Sequence, residues 1–284
     1  INDNPSVTAL SNIASETLGV VTATLATGNT VSYSSLNTSA TDVITININD
    51  NPHPNDLNTI AGKTAGVVTA TLAATSLSSL GSLSTADTDK ITITVNDANT
   101  TAVNATDLSA LGNKTAGTVT VSNAITITGN TAQVIAALDT ESTKVTAGTA
   151  KVTLSDTPNL DNLKKINDAT SGTIKILSKS EAYSGSAAVL AAALDGTVTD
   201  TSDAALTGAM TITGSNPTPA ELQTINNATT GNVIIPAKTV ALTATAAVLE
   251  KPTWVKAYHR KALAYLALEE PAKARQHYHQ KQRK

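Results

Sequence analysis

Apolar residues along this chain recur in two rhythms that take turns. In one they stand three apart, as in Leu57 and Ile60; in the other they alternate with polar residues, as in Val68, Ala70 and Leu72 set between Val67, Thr69 and Thr71. The first rhythm places side chains on one face of a helix, and the second places them on one face of a strand. The switch between them falls on a fixed pattern, L-x-x-[IL]-x-x-x-T-x-G. It occurs at Leu10-Ile13-Thr17-Gly19, Leu57-Ile60-Thr64-Gly66, Leu108-Leu111-Thr115-Gly117, Leu163-Ile166-Thr170-Gly172 and Leu222-Ile225-Thr229-Gly231. Successive leading leucines are 47, 51, 55 and 59 residues apart. Each copy predicts a short helix, closed by its glycine as a helix C-terminal residue, and then a half-buried strand.

A second strand is predicted in the other half of each unit. Ile44-Thr45-Ile46-Asn47-Ile48 and Ile91-Thr92-Ile93-Thr94-Val95 match at an offset of 47, with Val152-Thr153-Leu154 as a later, diverged copy. Further helices are expected at Thr131–Asp139 and Ser186–Asp195, and Thr218-Pro219-Ala220-Glu221 carries a cap, a first-turn proline and a capping-box glutamate. One unit therefore holds two rungs, each a strand with a helix or turn. The octet GVVTATLA, written at Gly19–Ala26 and again at Gly66–Ala73, is one such rung. Repetition at this period is the mark of stacked arrays. The expected fold is an α/β repeat: an elongated, β-solenoid-like coil of parallel strands with short helices in each unit, capped by a C-terminal α-hairpin.

Composition fits a thin core. There is no Phe, one Trp and five Tyr, so Ala, Val, Ile and Leu must fill the interior. The absence of Cys removes disulfides and thiolate metal sites from consideration. No window is long and apolar enough for a membrane span. Ile1-Asn2-Asp3-Asn4-Pro5 repeats Ile48–Pro52, so the first residue falls inside a repeat, and the chain reads as a piece of a longer array.

Charge divides the chain near Glu250. Residues 251–284 hold nine Lys or Arg against two Glu, and residues 1–250 hold ten against twenty. Two domains are expected, a repeat array over 1–250 and a helical hairpin over 251–284. Through TGNTAQVIAALD, GSAAVLAAALD and ITITVND, residues 1–249 resemble the Thr-, Ala- and Asn-rich β-strand repeats of very large secreted and cell-surface proteins of bacteria, cyanobacteria in particular. That resemblance implies an extracellular or cell-surface parent with a structural or adhesive role and no catalytic residues. The tail WVKAYHRKALAYLALEEPAKARQHYHQ resembles one tetratricopeptide repeat, with Tyr258, Ala262, Tyr265, Ala274 and Tyr278 at packing positions. By the same resemblance to chaperone-binding members, Lys256 and Arg260 would grip a partner's terminal carboxylate. The alternative is a helical cap on the last rung, with Trp254, Tyr258 and Leu266 at the contact, which would keep the chain monomeric.

The candidate chemistry is sparse. Asp50 and Asp97 recur in register, as do Asp42 and Asp89, which permits a ladder of oxygens for Ca²⁺; corner turns built on local Asp and Asn bonds are the competing reading. INDNP resembles the calcium-linking stretch of cadherins, but the unit here is half the length of a cadherin module. Thr22 with Thr24, Thr69 with Thr71 and Thr118 with Thr120 suggest the flat hydroxyl face of an ice-binding coil, interrupted by Lys175. His53 stands alone in the body, and His259, His277 and His279 lie on the basic tail. No nucleophile motif is present, so no enzyme is expected. A protein or cell-surface partner is expected, and no nucleic acid.

Overall fold

The computed structural model describes residues 4–138, 143–200, 202–214 and 216–235. The chain divides into two compact units, Ile1–Ser155 with Ala169–Gly172, and Asp156–Asp168 with Thr173–Lys284. The expected boundary at residue 250, and with it the C-terminal hairpin, lies outside the described residues.

In the first unit a parallel sheet runs β1 (Thr22–Thr24), β2 (Val43–Asn47), β3 (Val68–Thr71), β4 (Lys90–Val95), β6 (Val119–Val121), β8 (Val145–Thr146), each beside the next. A second parallel ladder joins β5 (Ala102–Asn104), β7 (Thr126–Gly129) and β9 (Lys151–Leu154). Strands are parallel because each pair is separated by a crossover. Thr22 pairs with Val43 and Thr69 with Lys90, both 21 residues on, and Ile127 pairs with Val152, 25 on. The predicted strands at Ile44–Ile48, Ile91–Val95 and Val152–Leu154 are all present, but the last belongs to the second ladder, away from β2 and β4.

The crossovers carry α1 (Val7–Glu16), α2 (Thr30–Ser34), α3 (Pro54–Ala61), α4 (Leu77–Leu80), α5 (Ala105–Gly112) and α6 (Thr131–Leu138). Their inward residues are those of the three-residue rhythm: Leu57 and Ile60 on α3, Leu108 and Leu111 on α5. Against them lie the alternate residues of the strands, Ile44, Ile46, Val68, Ala70, Ile91, Ile93 and Val95, all buried. Each of the larger ones contributes about 1.5–3 kcal/mol by leaving water. Tyr33 on α2 and Leu80 on α4 occupy equivalent positions and both are buried. The ring is accommodated because its hydroxyl donates to a backbone carbonyl, that of Ala26 at 2.5 Å, with that of Asn47 at 3.0 Å.

In the second unit β10 (Ile174–Ile176) pairs in parallel with β12 (Val198–Asp200), and β13 (Met210–Ile212) lies between β11 (Tyr183–Gly185) and β14 (Val233–Ile234), again in parallel. Its helices are α7 (Leu160–Ala169), α8 (Ala187–Leu194) and α9 (Pro219–Ala228). Ser186 caps α8, and α9 begins with the predicted capping box between Thr218 and Glu221. The fold is thus mixed α/β with parallel sheets and short helices, and no described sheet closes into a barrel.

Candidate functional site

In the second to fifth copies the Thr-x-Gly pair of the motif ties the chain to the backbone of a neighbouring strand or turn, whereas Thr17 in the first copy is exposed and accepts only the Gly19 N–H. Thr64 Oγ1 accepts the Ile44 N–H at 2.8 Å and the Gly66 N–H at 2.7 Å, and its proton faces the carbonyls of Ile44 and Asp42 at 2.9 and 3.0 Å. Thr115 repeats the arrangement on Ile91, Gly117 and Asp89. Thr170 donates to Ala150, and Thr229 faces Leu206 and Gly208 while accepting the Gly231 N–H. The hydroxyl thus satisfies backbone groups at the place where the chain leaves its crossover and joins the ladder.

The glycine has a different role from the one its position suggested. Helices α1 and α9 end at Thr17 and Thr229, and α3 and α5 end at Gly62 and Asn113, so the motif glycine does not terminate them. Among the described glycines only Gly196 and Gly214 have positive φ. The motif glycines are needed for close approach instead. A Cβ on Gly66, Gly117, Gly172 or Gly231 would stand 2.4, 2.3, 2.1 or 2.3 Å from a carbonyl oxygen of the preceding strand or turn. Gly112 against Thr143 and Gly208 against Glu181 make the same approach outside the motif. Sequence reasoning missed these two, since neither falls on the repeat.

The aspartates are consumed by the same task. Asp42, almost wholly buried, accepts the Val21 N–H at 2.8 Å with one oxygen and the Ser39 N–H at 2.8 Å with the other. Asp89 does the same with Val68 at 2.7 Å and Ala86 at 2.9 Å. Burial raises the Asp89 carboxyl above its ordinary range; the two N–H bonds oppose that shift, and neighbouring Asp87 adds to it. Asp50 accepts from the Thr30 N–H and hydroxyl, at the first turn of α2, and Asp97 accepts from the Leu77 N–H at the first turn of α4. Both therefore serve as helix caps supplied from the following strand's end. Among the described residues no group of three or more His, Asp or Glu side chains converges. Asp42 and Asp50 stand at the two ends of β2, and Asp89 and Asp97 at the two ends of β4.

Two lysines recur in the same register at the opposite helix ends. Lys63 Nζ donates to the Ser34 carbonyl at 2.9 Å, and Lys114 Nζ donates to the Gly81 and Leu83 carbonyls, where helix C-termini favour positive charge. The outward threonines form columns: Thr24 pairs with Thr45, Thr71 with Thr92, and Thr94 with Thr120 and then Thr146. Val43, Asn47 and Lys90 share that face and break it. In the second unit, Lys175 forms an ion pair with Asp203 at 2.9 Å.

His53 is exposed beside the first turn of α3, and its side chain caps nothing there. A shallow groove next to it is lined by Asn55, Thr75, Ser78 and Ser82. In the second unit the Tyr183 hydroxyl is buried without a hydrogen-bond partner, and burial raises its pKa. Lys256 and Arg260, the expected carboxylate-gripping pair, lie outside the described residues, as do Trp254, Tyr258, Leu266 and the three tail histidines. Among the described residues no helix is long and apolar enough to cross a membrane. No protein family, no curated protein and no solved structure matches the chain.

Proposed function

We propose that the chain is a non-catalytic structural or adhesive repeat segment of an extracellular bacterial surface protein, serving as a spacer or an interaction surface. In this reading the parallel rungs stack into an elongated β-solenoid-like coil, and residues 251–284 form the tetratricopeptide-like hairpin that caps it. The observation that carries the reading is the use to which the recurrent polar residues are put. Thr64, Thr115, Thr170 and Thr229, with Asp42, Asp89, Asp50 and Asp97, spend their hydrogen bonds on neighbouring rungs. Residues consumed in joining one rung to the next build length, and they leave no reactive group free at the recurrent positions. A repeat array of this kind offers a long surface at little cost in sequence variety. Small-angle X-ray scattering tests it: an asymmetric pair-distance distribution with a long tail is expected, and a symmetric, bell-shaped one would refute the elongated coil.

A further inference from the structure

The recurrent aspartates point their oxygens at N–H groups of other segments, as Asp42 does at Val21 and Ser39, and Asp50 at Thr30. Asp195 does something else. It ends α8 in an extended conformation, φ -64° and ψ 139°, and its exposed carboxylate accepts the N–H of the next residue, Gly196, at 3.1 Å. Of the fifteen glycines in the sequence, only Gly196 follows an aspartate, and none follows an asparagine. The turn dictates this glycine. Its φ is +89°, a conformation that residues with side chains rarely adopt, and a Cβ there would stand 3.0 Å from Asn167 Oδ1. What results is a main-chain nitrogen with no side chain beside it, held next to a carboxyl group with which it can close a five-membered ring.

We propose that Asp195–Gly196 is a self-modification site, where the chain converts its own main-chain link into an isoaspartyl one and so disturbs the β10–β12 pair. The Gly196 nitrogen attacks Asp195 Cγ and gives up its proton; the Cγ–OH bond of the protonated carboxyl breaks, and water leaves. A cyclic imide remains. Water then adds to one of its two carbonyls. Addition at Cγ restores aspartate. Addition at the main-chain carbon breaks that carbon's bond to nitrogen, so the chain continues through Cγ and the former main-chain carbonyl becomes a free carboxylate. One water is released and one consumed, and no oxidant or cofactor is needed. Two features favour the closure. The Gly196 N–H bonds to the carboxylate itself rather than to a helix or ladder carbonyl. The peptide can therefore turn about the Asp195 Cα–C bond, as ring closure demands, without breaking a main-chain bond of that N–H. The carboxylate also sits at a helix C-terminus, where negative charge is disfavoured, and the imide carries none. The consequence falls on the neighbouring ladder. The Thr197 carbonyl accepts the Ile174 N–H at 2.9 Å, and Val198 pairs with Ile174. An isoaspartyl link inserts one extra carbon into the main chain just ahead of these residues and displaces Thr197 from its partner.

The full chain is aged in mildly acidic buffer made with heavy-oxygen water, digested, and its peptides read by electron-transfer fragmentation, which separates isoaspartyl from aspartyl links. Isoaspartate carrying one heavy oxygen is expected at residue 195, at least tenfold above the level at Asp50, Asp97 or Asp203. Asp195→Asn should quicken the conversion, with ammonia as the leaving group, and Asp195→Glu, which would need a larger ring, should abolish it. Hydrogen exchange at the Ile174 amide should become faster on ageing in the wild type and stay constant in Asp195→Glu. Isoaspartate at 195 no higher than at the other aspartates, or formed without the heavy oxygen, overturns the inference. So does an Ile174 amide protected equally with and without the isoaspartyl link.

Discussion

Thr115→Val replaces the clamp hydroxyl of the third repeat by a methyl of the same shape, so it opens no cavity and isolates the hydrogen bonds. Thr115 is 3% exposed, and its oxygen accepts the N–H groups of Ile91 and Gly117, each at 2.8 Å. Both donors lose that acceptor inside a packed joint. A buried donor left unsatisfied costs about 1–3 kcal/mol, so two cost about 2–6 kcal/mol together. Thr115→Ser keeps the oxygen and removes one buried methyl, for about 1 kcal/mol. Thr17→Val makes the identical change at an exposed copy with a single bond, and should alter stability by no more than about 0.5 kcal/mol. Urea unfolding followed by far-ultraviolet circular dichroism, with the slope held against wild type, reads all three. A cost for Thr115→Val below about 1 kcal/mol, or one equal to that of Thr17→Val, would refute the clamp.

Gly117→Ala should destabilise by about 3 kcal/mol or more, because its Cβ would stand 2.3 Å from the Ile91 carbonyl, whereas Gly148→Ala, with nothing within 4 Å, should be near neutral in the same assay. The raised carboxyl of Asp89 means the folded state holds that proton more tightly than the unfolded state. Its stabilising contribution is therefore present below the ordinary value of 3.8 and lost as pH rises through the folded value; Asp89→Asn should remove this slope, and identical pH profiles of melting temperature would contradict it. Asp50→Ala removes the acceptor for the Thr30 N–H and hydroxyl at α2 and should cost about 1 kcal/mol, with Asp50→Asn milder, since an amide oxygen still caps. A shift of the wild-type melting temperature by EDTA or Ca²⁺ that Asp50→Ala abolishes would instead make this residue a metal ligand.

The periodic elements were legible in the sequence because their signals are local. Leu57 with Ile60 announces α3, the alternation from Ile91 to Val95 announces β4, and Thr218 with Glu221 announces the start of α9. The short elements were not legible. Helix α4 is four residues long and β5 three, too few for either rhythm to show. The role of the motif glycine is hidden from the sequence for a related reason. Gly after a helix suggests a C-terminal cap, but what selects Gly66 is the carbonyl of Ile44, a residue 22 positions earlier that only the folded chain brings near. The aspartates show the same limit. Their recurrence was visible, but whether carboxylates in register meet each other or meet backbone N–H groups depends on the path of the crossovers.

What the copies share is spent on packing: threonine on backbone groups, glycine on close approach, aspartate on crossovers and helix starts, lysine on helix ends. What could tell one rung from another is then what the copies do not share. The outward sheet face varies, since Val43, Asn47 and Lys90 interrupt the threonine columns, and a surface that changes from rung to rung can distinguish one stretch of array from another.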